Sequence, residues 1–251
     1  MGKQVLTGKR RRKAPKRIVL KLSGEVLGGT SGTALDVDFT LGILRQLKAV
    51  AGAGIQVGVV VGGGNILRGS AAARRGLGRV AGDSIGMLGT VANGIALRDL
   101  GRGLGLDVRV LSCLPCPGLV ETYSADAAVA HLEAGRVAVF VGGTGNPFLT
   151  TDTAAALRAA EIGADLILKA TKVDGVYSAD PLVDRKAKRF DSLTFSDALR
   201  LNLKFMDAAS LCLCREAGLA VVVFDVLKKD SIVRAARGEM IGTIVAGVSN
   251  D

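Results

Sequence analysis

The sequence predicts an α/β fold in which a largely parallel sheet is covered by helices on both faces, a three-layer αβα sandwich. Three observations carry that expectation. Runs such as Arg17–Leu22, 55–61, Val137–Val141 and 220–224 are almost continuously Val, Ile or Leu, without the alternation of a half-exposed strand. Segments with helical spacing of apolar residues alternate with these runs along the chain. Finally, the 34 glycines fall mostly at strand-to-helix junctions and form no low-complexity tract. With 49% apolar residues, 4% aromatics and no Trp, the core must be built from Val, Leu, Ile and Ala.

In chain order, residues 1–15 read as a basic flexible tail and 16–251 as a single folded domain. Arg17–Leu22 is a first strand, and its Lys21 is a charge inside a run that is otherwise apolar from Ile18 on. Burying such a charge is costly unless it meets a ligand or a counter-charge. Asp36 or Asp38 caps a helix to Ala51, with Leu41, Leu44, Leu47 and Val50 on one face. Residues 55–61 form the second strand, closed by Gly62-Gly63-Gly64-Asn65, and Arg68 follows. Asp83 is expected to cap a long helix to about Leu104. A strand at 108–111 leads to a turn enforced by Pro115 and Pro117, and Ser124 caps a helix through Glu133. His131, the only histidine, reads as a capping or surface residue there. After strand Val137–Val141, the run Gly142 to Asp152 leads into a helix capped by Thr151 or Asp152. Further strands are expected at 165–170, 220–224 and 243–245. Helices are expected at 194–201, 207–218 (capped by Asp207) and 231–237, after a charged excursion at 184–191.

Net charge is +10, and residues 1–17 hold eight basic residues with no acid, which leaves the remainder near +2. The run Lys9 to Lys13 reads as a solubilising tail, and nucleic-acid binding is expected, if anywhere, only through it. No apolar segment follows those charges as in a secretory signal, and no stretch reads as membrane-spanning. Cys113, Cys116, Cys212 and Cys214 lack accompanying histidines at zinc-ligand spacing and read as core thiols of a cytoplasmic protein.

The chemistry follows from the glycine junctions. A glycine turn between a strand and a helix N-terminus presents N–H donors and the helix dipole to an anion such as phosphate. Three anion-friendly features fall at strand ends: Lys21, the Gly62–Asn65 turn and the Gly142–Asp152 run. There is no G-x-x-x-x-G-K-[ST] cradle, and no G-x-G-x-x-G opening the first helix. A single histidine excludes a His-rich metal site. What remains is glycine backbone, lysine, arginine and aspartate, the inventory phosphoryl transfer requires.

Lys21-Leu22-Ser23-Gly24-Glu25, Gly62-Gly63-Gly64-Asn65, Arg68-Gly69, Gly82-Asp83, Thr144-Gly145-Asn146-Pro147-Phe148, Thr150-Thr151-Asp152 and Lys169-Ala170-Thr171-Lys172-Val173-Asp174-Gly175-Val176-Tyr177 occur in one order. Together, over about residues 16–246, they resemble the bacterial uridylate (UMP) kinases of the amino acid kinase superfamily. The resemblance implies the amino acid kinase fold, with a UMP-binding N-terminal part and an ATP-binding C-terminal part. It implies a homohexamer that converts UMP and ATP to UDP and ADP, with Mg²⁺ carried on ATP and no direct protein ligand. Lys21, Arg68 and Asp152 would be catalytic. Lys21, Leu22, Ser23, Gly24, Gly64, Arg68, Thr171, Tyr177 and Asp180 would bind ATP. Gly63, Asp83, Thr144, Gly145, Asn146, Pro147, Phe148, Leu149, Thr150 and Thr151 would bind UMP, with Asp83 on the ribose. Asp152 would orient Lys21 or the metal, and Asp207 is a second candidate for that duty. Arg98, Asp99, Arg102, Arg109 and Arg136 match a site for the activator GTP, and UTP would inhibit. The chain departs from the pattern at Leu149, where a second aromatic is common, at Val141-Gly142, and at Arg102, where histidine is common. The alternatives implied by the same scaffold are a kinase for a carboxylate, carbamate or isopentenyl phosphate, and a non-catalytic nucleotide-binding or storage protein.

Overall fold

The computed structural model describes residues 15–29, 33–67, 76–181, 183–184 and 186–247. Residues 1–14 of the basic tail and Arg68 lie outside the described residues. The expected apolar runs form β1 (Arg17–Leu22), β2 (Gln56–Val61), β3 (Val108–Ser112), β5 (Val137–Val141), β6 (Leu166–Thr171), β8 (Ala220–Asp225) and β9 (Thr243–Ala246). Two short strands escaped the sequence reading: β4 (Glu121–Thr122) and β7 (Ser192–Thr194). Each is too short to carry a periodic signal. The helices are α1 (Gly24–Leu27), α2 (Val37–Gly52), α3 (Arg79–Gly103), α4 (Ala125–Glu133), α5 (Thr151–Glu161), α6 (Phe195–Arg200), α7 (Ala208–Glu216) and α8 (Ser231–Ala236).

The strands form one sheet in the order β4-β3-β5-β2-β1-β6-β8-β9-β7. Every pairing is parallel except β8 with β9. Because both faces are covered, alternate residues of one strand feed two cores. Ile18, Leu20 and Leu22 of β1 pack with Ile43, Leu44 and Leu47 of α2, Val91 and Leu97 of α3, and Ile232 of α8. Val19 packs on the other face with Ala128 and Leu132 of α4, Ala154, Ala155 and Ala159 of α5, and Leu211 of α7. The alanines of α5 have little bulk, which lets this helix lie close to the sheet beside the strand ends.

Three caps refine the expected helix starts. Asp36, rather than Asp38, caps α2, its carboxylate accepting the Phe39 N–H at 3.0 Å. α3 starts at Arg79 behind Gly78, one turn before the expected cap Asp83, whose side chain is thereby free to reach across to another loop. α5 is capped by the Thr150 hydroxyl, which accepts the Asp152 N–H at 3.1 Å. By length and composition α3 would be able to cross a membrane, the one such helix among the described residues. Val91 and Leu97 bury it instead in the core, as a helix of the fold.

Asp207 has a structural duty at the start of two helices. One of its oxygens accepts the Ser210 N–H at 3.0 Å, capping α7, and the Thr153 hydroxyl at 2.8 Å. The other accepts the Thr150 hydroxyl. It thus fastens the start of α5 to the start of α7. Asp207→Ala removes a cap and leaves a buried hydroxyl unpaired, each worth about 1 kcal/mol. We expect Tm to fall by about 5 °C in a chain of this size. A fall under about 1 °C in calorimetry would show that these bonds contribute nothing to the fold.

Candidate active site at the C-terminal edge of the sheet

β5, β2, β1 and β6 are consecutive parallel neighbours, so the segments that follow them open on one edge. From β1 the chain continues to β2 on one side, while β6 leads toward β8 on the other. Such a reversal leaves a crevice outside the strand ends, the usual ligand position in open parallel sheets. Lys21 of β1 and Lys169 of β6 are register partners at that boundary. Val19 and Ile167, two residues earlier on each strand, belong to the core beneath α5, so both lysines face α5. There Asp152, the second residue of α5, accepts Lys21 Nζ at 2.9 Å and Lys169 Nζ at 2.6 Å on the same oxygen, Oδ1.

This trio is nearly dry, with Lys21 7% and Lys169 6% exposed. Burial lowers the Lys169 pKa to about 8, and the neighbouring Lys21 ammonium adds to that shift against the pull of Asp152. For Asp152, burial pushes its carboxyl up, but the Lys21 and Lys169 ammoniums together outweigh it and hold the pKa below the ordinary value. Two cations share one carboxylate, which leaves a net positive charge at the mouth of the crevice. A buried surplus of that kind is resolved by an anion.

The glycines around it are required mainly by close packing. A Cβ on Gly24 would stand 2.4 Å from Asn65 Oδ1 and 2.6 Å from Gly64 N, so the segment after β1 lies directly on the turn after β2. A Cβ on Gly63 would meet Gly86 O of α3 at 2.1 Å, whereas one on Gly64 would meet nothing closer than the Glu25 side chain at 3.8 Å. Of the triplet, Gly64 thus faces open space. In the loop after β5, Gly142, Gly143 and Gly145 all have positive φ, at 76°, 60° and 80°. Phe148 also has φ 69°, an unusual conformation for an aromatic residue. Its N–H donates to Asp83 at 2.8 Å, and its exposed ring lies 5.2 Å from the Arg79 guanidinium, which itself pairs with Asp83 at 2.6 Å.

The remaining expected site residues divide between lining and support. Thr144 and Asn146 bond one another's backbone within the loop, and Pro147, Leu149 and Thr151 continue it into α5. The Leu22 side chain is fully buried in the core, and Ser23 precedes α1 with extended backbone. At the end of β6 the Thr171 hydroxyl donates to Val173 O at 2.7 Å, and beyond it Tyr177 donates to Asp174 at 2.7 Å. Asp180 O accepts the Val183 and Asp184 N–H groups. Lys172 Nζ reaches back to Gly29 O at 2.9 Å, tying this segment to the one after α1.

The Amino acid kinase family profile matches residues 16–225. The chain belongs to the amino acid kinase family. A protein named uridylate kinase from Legionella pneumophila (strain Corby) is 48% identical over 236 residues, covering 94% of this chain and 96% of its own. Its namesake from Methylococcus capsulatus is 49% identical over 230 residues, covering 92% and 96%. Among solved structures, the UMP kinase of Bacillus anthracis superposes with TM-score 0.90 at 36% identity, covering 95% of this chain and 98% of its own. That of Ureaplasma parvum gives 0.87 at 38% identity, covering 94% and 99%.

This amino acid kinase carries a second cavity, of about 640 Å³, at the β4 edge of the sheet, away from the lysines. Arg98, Arg102 and Arg109 line it together with Asp107 and Glu121. Asp99 pairs with Arg102 at 3.9 Å, and Asp107 receives both Arg109 at 2.9 Å and Arg136 at 3.0 Å. His131 is no simple capping or surface residue: its Nδ1 faces Arg136 at 3.0 Å and its Nε2 faces Glu121 at 2.8 Å. Arginine can only donate, so Nδ1 accepts and Nε2 holds the proton toward Glu121.

Lys169 is the site residue that sequence reasoning passed over, although a lysine in an apolar parallel strand is the signal that drew attention to Lys21. Its lowered pKa has a consequence for stability. Between about 8 and the ordinary 10.5 the folded chain has released a proton that the unfolded chain still holds, so stability from this group rises with pH in that window. Below about 8 the full burial cost is present. Urea unfolding at pH 7.5 and 9.5 should show the wild type gaining about 2 kcal/mol relative to Lys169→Met. Parallel behaviour of the two proteins would show that Lys169 titrates at its ordinary value.

Proposed function

We propose that this protein is a UMP kinase, transferring the γ-phosphoryl group of ATP to UMP. The observation that carries the reading is the Lys21–Asp152–Lys169 trio, on the same sheet edge as the Gly62–Asn65 turn and the Gly142–Thr150 loop. Phosphoryl transfer needs two nucleotides brought end to end and charge stabilised on the moving group. Two buried ammoniums supply that charge where water does not screen it. The family and the names of its relatives supply the acceptor.

In this reading Lys21 and Lys169 hold the transferring phosphoryl oxygens, and Asp152 keeps both ammoniums in place without moving a proton. No general base is required, because the acceptor phosphate oxygen is already an anion. Ser23, Gly24, Gly64, the Leu22 backbone and Arg68 bind the ATP phosphates, and Thr171, Tyr177 and Asp180 the nucleoside. Gly63, Asp83 and the run Thr144 to Thr151 bind UMP. The acceptor side thus lies in the N-terminal part of one domain spanning 16–251, and the ATP nucleoside in the C-terminal part. A donor set of two ammoniums and one carboxylate suits phosphate oxygens better than a cation, so Mg²⁺ would be held by ATP itself. Bound there, it would supply further charge neutralisation to the phosphates.

The finer features follow the same reading. The guanidiniums of Arg98, Arg102 and Arg109, with Asp99 paired to Arg102 and Arg136 paired to Asp107, suit an anionic nucleotide in the 640 Å³ cavity, GTP as activator, with UTP as inhibitor. Ile85 and Leu88, 39% and 55% exposed on α3, suit contact with a second copy in a cytoplasmic homohexamer.

The test is ADP release from Mg-ATP with UMP, CMP, dUMP, N-acetylglutamate and isopentenyl phosphate as acceptors. UMP should be strongly preferred, and Lys21→Ala and Lys169→Ala should each lower kcat by about 10²–10³-fold. Nucleotide binding without turnover on any acceptor would overturn the enzyme reading.

A further inference from the structure

α3 touches both glycine segments through two buried polar side chains that the reading above does not use. Thr90 is 1% exposed and Asn93 3%. The Gly142 N–H donates to Thr90 Oγ1 at 2.7 Å, and the Thr90 hydroxyl donates in turn to Met87 O at 2.6 Å. Asn93 Nδ2 donates to Gly62 O at 2.7 Å and to Asn65 Oδ1 at 2.8 Å, while Asn93 Oδ1 accepts from Asn65 Nδ2 at 3.0 Å. The same Asn65 side chain donates to Ala34 O.

Of the side chains that hold the loop after β5 from outside, Thr90 is the one at its exit from the sheet, while Asp83 and Asp207 hold it further on. Gly142 has φ 76°, and a Cβ there would meet Leu114 N at 2.9 Å, so the loop departs from β5 through a conformation and a space that only glycine fits. A buried N–H in such a position must be paired, and Thr90 supplies the acceptor. Gly63 presses on Gly86 of the same helix. Three residues apart, Thr90 and Asn93 share one helix face. The separation between the turn after β2 and the loop after β5 is therefore fixed by a single helical turn.

We infer that Thr90 and Asn93 are positioning residues that set the two nucleotide-binding segments against each other. Thr90 fixes where the acceptor loop leaves the sheet, and Asn93 fixes the turn that faces the transferring group. This rests on the phosphoryl-transfer reading, and its test has one arm that does not.

The kinetic arm uses full-length Thr90→Val, Thr90→Ser and Asn93→Leu with Mg-ATP and UMP. Thr90→Val, equal in shape but without the acceptor, should raise KM for UMP about tenfold, the cost of one stranded donor, with KM for ATP within about twofold. Thr90→Ser keeps the hydroxyl and should restore it. Asn93→Leu should lower kcat about tenfold at saturation in both substrates. A purely structural role would lower Tm without separating the two KM values. Equal rises in both, or no rise for UMP, overturn the assignment. The second arm is amide hydrogen exchange of the unliganded wild type, which needs neither activity nor a folded variant. The Gly142 amide should be protected like the strand β5 beside it. Exchange at the rate of an open loop would overturn the inference even in an active enzyme. A wild type inert toward UMP would sink the functional reading and leave this arm to decide whether the loop is preset.

Discussion

One carboxylate shared by two buried lysines organises the C-terminal edge of the sheet. Asp152 alone neutralises neither Lys21 nor Lys169 completely, yet it holds both, 2.9 and 2.6 Å away, on one oxygen. Much of the surrounding architecture serves that contact. The parallel register of β1 and β6 brings the two strands' lysines side by side. The small alanines of α5 let its first turn approach the sheet, and Asp207 fastens that turn from the far side. Asp152 lies inside the first turn, where its carboxylate meets the lysines, and the Thr150 hydroxyl caps the helix by accepting the Asp152 N–H.

The same contact explains which parts of the site were legible in the sequence. Lys21 stood out as a charge in an apolar strand, and Asp152 as an acid in the first turn after a glycine run. Lys169 carried the same mark as Lys21, but its meaning lies in a pairing across strands nearly 150 residues apart, which no local pattern contains. The long strands were readable because burial on both faces writes itself as unbroken Val and Ile. β4 and β7, two and three residues long, write nothing comparable. Asp83 looked like a cap because an acid preceded a helical run. The helix began a turn earlier, and its carboxylate turned outward to meet the Phe148 N–H.

The glycine-rich turns teach a related lesson about reading composition as chemistry. Three consecutive glycines suggested backbone approach by a phosphate, and the sheet edge where they lie agrees. Their bareness nonetheless serves packing first: Gly62 and Gly24 lie against each other, and Gly63 lies against Gly86. Only Gly64 keeps open space before it. Glycine frequency marks where backbones come close, and the partner in that approach is as often the protein itself as a ligand.

That self-packing bears on how such a site can be ready before substrate arrives. A loop with three glycines at positive φ and an aromatic at φ 69° has no intrinsic preference for one shape. Its order must come from outside, and the outside contacts that matter are few: Thr90 on the Gly142 N–H, Asp83 on the Phe148 N–H, and Asp207 on the Thr150 hydroxyl. Two of those three come from α3, which also carries Arg98 and Arg102 to the wall of the second cavity. The loop after β5, the turn after β2 and that cavity therefore share one helix, 25 residues long and buried along one side. A helix of this kind moves as a unit, because packed interiors deform little internally. The loop after β5 and the turn after β2 are thus set by one element, whereas a loop held by its own residues would be set independently of that turn.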